Sequence, residues 1–163
     1  STLDMTGTNG QWSIWAVFAA PSGSDRVLME QTTNYNNTVN SFIVNRASTN
    51  LATYGMRGAS GEYATFDSTG TVTTTPKVFV VTQDSTLTTN EAQGYLNGDS
   101  SGTRAFNSNT AAAGASAALY VGARAGTSLF FGGTLCEMGI TAGVISDWQR
   151  WQLEASLTVK WGL

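Results

Sequence analysis

The sequence contains no histidine, and that absence removes Ser/His and Cys/His catalytic arrangements together with the commonest zinc ligand. A single cysteine, Cys136, leaves no intramolecular disulfide to form, so folding does not require an oxidising compartment. Cys136 sits in an apolar run with no base to ionise it, and is expected to be a buried, inert thiol. Charged residues make up only 12% of the chain, well below the usual quarter or so. Eight Lys and Arg against 11 acids give a net charge of −3 with no basic run, which disfavours nucleic-acid binding. The long uncharged stretch Ala105 to Ala123 is interrupted by Asn, Ser, Thr and Gly and is too polar to cross a bilayer, and no secretory-signal pattern opens the chain. Glycine is plentiful at 18 residues, yet no G-x-x-x-x-G-K-[ST] run occurs, so no Walker-type phosphate cradle is available and no cofactor is implied.

Acids are too scattered for glycoside hydrolysis, which needs two carboxyls flanking one bond. Glu62 and Asp67 differ in strand parity, and Asp147 and Glu154 lie two helical turns apart, so no enzyme activity is expected. Asp25, Asp67, Asp84 and Asp99 are isolated, whereas a calcium site needs several converging oxygens; each reads as a turn-former. The Asn36-Asn37-Thr38 sequon is a chance match in so Asn- and Thr-rich a chain.

What is present is a succession of apolar runs of four to eight residues bounded by Gly, Asn, Ser or Asp, the pattern of strands. They predict strands at Gln11–Ala20, Arg26–Gln31, Ser41–Ala47, Asn50–Arg57, Glu62–Asp67, Lys77–Asp84, Ala92–Leu96, Ala118–Ala123 and Gly133–Gly139. That spacing predicts one all-β sandwich domain over residues 1–163, a length that buries roughly two thirds of the unfolded surface. In "QWSIWAVFAA" both alternating sets, Trp12/Ile14/Ala16/Phe18 and Trp15/Val17/Ala19, are apolar, and "KVFVV" behaves likewise, so these strands should be central and covered on both sides. "NSFIVNRAS" alternates more cleanly, with Phe42 and Val44 on one side and Ser41, Ile43 and Asn45 on a wetter one. Asn97-Gly98 marks a type I′ hairpin returning into Thr103–Phe106, "RGASGEY" at 57 to 63 marks a second reversal, and 106 to 118 reads as a surface loop. Low charge with many strands also makes bare sheet edges an aggregation risk, which predicts neighbours covering some of them.

One helix is predicted, Asp147 to Leu157. Ser146 and Gln149 match a capping box, and Asp147 suits the positive end of the helix dipole. Trp148, Trp151 and Ala155 form a stripe at i, i+3, i+7, widened by Leu153 and Leu157. Glycan binding through these tryptophans needs them in water. Burying one, however, removes about 150–250 Å², on the order of 4–6 kcal/mol gross at about 25 cal/mol/Å². The expectation is therefore a clasp, with Trp148 and Trp151 packed on the sandwich and Trp161 anchoring a terminal strand. Arg124 and Glu137, on neighbouring predicted strands, are expected to form a structural ion pair. Sugar recognition needs aromatic faces beside amides or charges. "NYNNTVNSF" with "TYGMRGASGEY" supplies them as Tyr35, Asn36, Asn37, Tyr54, Arg57 and Tyr63, equally fitted to a protein contact.

Finally, "YLNG" at 95 to 98, "VGAR" at 121 to 124, "FGGTLCEMGI" at 131 to 140 and "SDWQRWQLEASLTVKWGL" at 146 to 163 resemble, in order, the C-terminal half of concanavalin A-like lectin/glucanase (LamG-like) jelly rolls. The resemblance covers about 70 C-terminal residues and is loose before residue 76. It implies a two-sheet antiparallel jelly roll with one short C-terminal helix, opened by a strand of which Ser1-Thr2-Leu3-Asp4 is a meagre version. That short opening implies either a domain separated from a longer protein or a Ser1 that follows a removed initiator Met. Domains closing in this way are frequent in bacteriophage structural proteins. The resemblance therefore implies first a non-enzymatic virion component, a capsid decoration or tail appendage bound to other virion proteins and to surface glycans. The alternative it implies is a carbohydrate-binding module of a secreted enzyme or adhesin. Fold alone does not choose between them.

Overall fold

The computed structural model describes residues 2–21, 23, 26–57, 63–105 and 114–163, and of Asn36, Tyr63 and Ala64 the backbone only. The strands are β1 (Thr2–Asp4), β2 (Gln11–Ala19), β3 (Arg26–Gln31), β4 (Phe42–Arg46), β5 (Leu51–Arg57), β6 (Tyr63–Thr71), β7 (Lys77–Asp84), β8 (Ala92–Leu96), β9 (Asp99–Arg104), β10 (Ser116–Val121) and β11 (Thr134–Ala142), followed by helix α1 (Asp147–Trp161). They form a six-stranded sheet ordered β1-β10-β3-β4-β5-β6 and a five-stranded sheet ordered β11-β2-β7-β8-β9, antiparallel throughout. The expected jelly-roll sandwich with one C-terminal helix is the fold observed.

The two doubly apolar runs are central, β2 between β11 and β7, and β7 between β2 and β8. Their inward residues Trp12, Ile14, Ala16, Phe18, Phe79 and Val81 meet Leu28, Phe42, Val44, Tyr54 and Met56 of the other sheet. Their outward residues Val17, Val78 and Val80 join Tyr95 under Leu157 of α1. Cys136 packs beside this second cluster and is half-buried rather than fully enclosed. A buried polar chain crosses the main core: Trp12 Nε1 donates to Tyr54 Oη (3.3 Å), which donates to Gln83 Oε1 (3.2 Å), whose Nε2 donates to Ser85 Oγ (3.1 Å). Each buried polar atom in that chain has a partner, which removes the desolvation cost of leaving it bare.

The β8–β9 turn is Asn97-Gly98, with φ of 52° and 86° at its two central residues, as a type I′ turn requires. β9 starts at once, at Asp99, rather than at Thr103. The second expected reversal, 58–62, and positions 106–113 of the expected loop lie outside the described residues, while 116–118 belong to β10. β1 pairs with β10. Within the described residues no helix is long and apolar enough to cross a membrane.

Three expectations about the tail are corrected. α1 runs on to Trp161, so "KWGL" is not a strand; Gly162 ends the helix with φ 65°, and Leu163 N donates to Thr158 O at 3.0 Å. The capping box is present, but Trp148 and Trp151 face water, 65% and 59% exposed. The buried face is Arg150, Glu154 and Leu157, with Leu153 beside them. Arg150 Nη1 donates to Glu154 Oε2 at 2.7 Å, and its guanidinium stacks 3.8 Å from the Tyr95 ring centroid. Both helix faces carry a stripe at helical spacing; the one with two leucines and an internally paired charge docks, and the indoles turn outward.

Arg124 and Glu137 do not meet either. Glu137 Oε2 instead accepts from Lys160 Nζ (2.7 Å) and Trp161 Nε1 (3.1 Å), pinning the last turn of α1 to β11. Trp161 is thus an anchor, but from the helix. The Lys160 hydrogen bond first, and the Trp161 one second, hold the Glu137 carboxyl below its ordinary value. Because the folded value is lowered, the contact contributes fully above the ordinary Glu range and is lost as pH falls through that lowered value. NMR should show the Trp161 indole N–H protected from exchange near neutrality and unprotected in acid; protection independent of pH would contradict the contact.

Candidate functional site

Register places two rows of side chains on the outer face of the six-stranded sheet. Glu30, Ile43, Gly55 and Thr65 stand opposite one another across β3 to β6, and Val27, Asn45, Thr53 and Asp67 form the next row. A bulge between Val27 and Met29 turns both Leu28 and Met29 into the core and leaves Val27 and Glu30 on the outer face. α1 packs on the outer face of the other sheet, so among the described residues this is the sheet face without a covering helix.

Two loops wall it. The 3-10 turn Tyr35–Asn37 brings the Tyr35 ring down onto Gly55, where a Cβ would sit 3.2 Å from Tyr35 Cε2 and 3.0 Å from both Ile43 Cγ2 and Thr65 Cγ2. Gly55 therefore makes the seat for the ring. On the opposite side the segment after β10 is held by Val27 N donating to Leu129 O at 3.0 Å, which brings Leu129 and Arg124 to the rim. Glu30, fully buried, ties the two walls together: Oε1 accepts from Tyr35 N at 2.8 Å and Oε2 from Arg124 Nε at 3.1 Å. Between the walls lies a depression of about 190 Å³ lined by Val27, Ile43, Tyr35 and Leu129 on the apolar side and Asn45, Thr53, Thr65 and Arg124 on the polar side. Thr53 Oγ1 donates to Asp67 Oδ1 at 2.6 Å, which orients the hydroxyl in the floor. An aromatic edge, an aliphatic floor and several convergent hydrogen-bonding groups suit a molecule with both C–H and hydroxyl surface.

Of the six residues expected to bind, the structure brings one to this depression, Tyr35. Tyr54 is a correction: it points into the core, 0% exposed, because it pairs with inward Val44, and burial pushes its phenol above the ordinary value against the Trp12 hydrogen bond. Arg57 is half-buried at the end of β5, where its backbone pairs with Asn40 and Ser41, and it does not line the depression. Asn37 is exposed on the turn. The side chains of Asn36 and Tyr63 lie outside the described residues; Tyr63 is opposite Arg57 in register. Arg124, expected to be purely structural beside Glu137, is an ion-pair partner of Glu30 and a wall of the depression. Sequence reading missed Glu30, Val27, Thr53 and Thr65. It did carry a signal for Ile43 and Asn45 as the expected wetter side of the β4 run, although there Ser41 and Ile43 are buried, Ile43 against Tyr35, and only Asn45 is partly open.

A second depression, about 300 Å³, is lined by Thr69, Gly70, Thr71, Lys77, Leu96, Asn97 and Asp99. It is larger but has no aromatic wall to stack on a sugar ring. Among the described residues no group of three or more Cys, Asp or Glu side chains gathers into a metal-binding cluster.

No family model matches the chain, and no curated protein matches it by sequence. Solved structures do. A native heptameric SAP-like pentraxin from Limulus polyphemus shares 13% identity at TM-score 0.67, over 91% of this chain and 70% of that one. The CBM40 of the Ruminococcus gnavus IT-sialidase, solved bound to alpha2,3 sialyllactose, shares 18% identity at TM-score 0.66, over 96% and 91%. A botulinum neurotoxin type C structure, concerned with interaction with two ganglioside molecules, shares 11% identity at TM-score 0.65, over 91% of this chain and 36% of that one. At these identities the likeness concerns the backbone, and the chain shares the two-sheet jelly-roll fold of these structures.

Proposed function

We propose that the chain is a carbohydrate-binding module that takes a terminal sugar in the depression on the outer face of its six-stranded sheet, without catalysis. The observation that carries this is the seating of the Tyr35 ring on Gly55, facing Arg124 across a floor of Ile43, Asn45, Thr53 and Thr65. A volume of about 190 Å³ is below the roughly 300–1,000 Å³ of drug-sized ligand sites, which favours one sugar unit over an extended chain. The sialyllactose-bound and ganglioside-linked neighbours support the same reading. They support this carbohydrate-binding alternative better than placement on a bacteriophage particle, which rests on the closing-segment resemblance; mass spectrometry of purified particles tests that placement.

A glycan array on the isolated protein is expected to return a defined set of terminal structures. Asn45→Ala, which removes one or two hydrogen bonds from the floor, should weaken the best hit about tenfold, roughly 1–1.5 kcal/mol, with little change in Tm. An array with no specific hits, or an Asn45→Ala protein that binds as well as the parent, would overturn the reading.

A further inference from the structure

We propose that the outward face of α1 is a self-association surface on which a second copy of this chain packs its own α1 antiparallel. Trp148, Trp151 and Val159 are 65%, 59% and 84% exposed, and with exposed Ala155 they form one continuous stripe at helical spacing. The helix needs none of it for docking, since Arg150, Glu154 and Leu157 face the sheet. The charges of Arg150 and Glu154 are turned inward and paired, so the outward stripe carries no charge between Asp147 and Lys160 and its burial strands none.

A saccharide platform fits this face less well. The Gln149 amide oxygen is engaged in the capping box, and Val159, the most exposed residue of the stripe, offers nothing to a hydroxyl. A second copy fits it in shape. With the two-fold axis near residues 153 and 154, Trp151 of each copy lies over the small Ala155 of the other, and Trp148 lies against Val159. Large then meets small along the whole contact, which permits close ridges-into-grooves packing. The helix ends agree as well: Lys160 is paired with Glu137 and Asp147 with Arg150 in their own chain, and antiparallel packing opposes the two helix dipoles, whereas parallel packing brings like ends together. Burying the stripe on both copies removes on the order of 1,000 Å², the threshold of a specific interface, so the dimer should be reversible rather than obligate.

Sedimentation equilibrium of the intact chain over roughly 1 µM to roughly 1 mM should show a mass rising toward twice that of one chain. Trp148→Asp and Val159→Lys, both at exposed positions with the helix polarity respected, should remain monomeric throughout with unchanged circular dichroism. In a Cys136→Ser background, a mixture of Trp151→Cys and Ala155→Cys chains should oxidise to a mixed covalent dimer well ahead of a control cysteine at exposed Thr86, because the two-fold sets residue 151 of one copy against residue 155 of the other. A wild-type chain that stays monomeric at the highest concentration overturns the proposal. So does a dimer that survives both substitutions, or a monomer in which Trp148→Asp weakens glycan binding.

Discussion

Replacing Glu30 with alanine is expected to lower stability by about 3–5 kcal/mol and to reduce sugar binding by much more than tenfold. Its carboxylate is fully buried and serves two donors on opposite walls of the depression, Tyr35 N and Arg124 Nε. Removal strands a backbone N–H, worth about 1–3 kcal/mol on its own, and leaves Arg124 without its counter-charge. Arg124 keeps a quarter of its side chain in water, so solvent offsets part of the loss and the lower end of the range is expected. Glu30→Gln keeps an acceptor for Tyr35 N while losing the charge, and should recover part of the stability but not the position of Arg124. Urea denaturation and calorimetric titration of both variants check this; equal binding by Glu30→Ala and the parent would show that the walls do not form the site.

The second large effect is on α1. Arg150→Ala should cost about 3–5 kcal/mol, a fall in Tm of roughly 10 °C for a chain of this size, because it leaves Glu154 buried without its partner. Trp151→Ala, measured at low concentration where chains are single, should change stability by less than about 0.5 kcal/mol. The order is the reverse of what residue size alone implies. Burial already pushes the Glu154 carboxyl above its ordinary value, against the pull of Arg150. With a raised folded value, Glu154 favours the folded state at pH below the ordinary Glu range, and that contribution is lost as pH rises through the folded value. The Arg150→Ala defect should accordingly be smaller in acid than at neutrality. Thermal melts at both pH values test it, and a larger loss for Trp151→Ala than for Arg150→Ala would contradict the docking face described.

These two residues also show what the sequence could and could not convey. Local rules located β3, β7 and β8 to the residue, the doubly covered β2 and β7, the Asn97-Gly98 turn and the Ser146 capping box, because each depends on neighbours within a few positions. The face of an element that turns inward depends on distant partners. α1 carries two helical stripes, and the choice between them was made by Tyr95, Val78 and Val80 beneath it. "LATYGMR" has no clean alternation, so Tyr54 looked like a surface aromatic until its pairing with Val44 fixed it in the core. Arg124 finds Glu30 across 94 positions of sequence, and Glu137 finds Lys160 and Trp161 only because the helix runs one turn further than its apolar pattern. The candidate site is assembled by such long-range pairings, and only Tyr35 and the expected wetter side of β4 announced it.

The most direct test of the account is NMR shift mapping of the isotope-labelled protein titrated with the strongest glycan from the array. The account predicts perturbations concentrated at Val27, Ile43, Asn45, Thr53 and Thr65, with the Arg124 guanidinium following and α1 unaffected. Perturbations centred instead on Thr69, Lys77 and Asp99, or on Trp148 and Trp151, would contradict it.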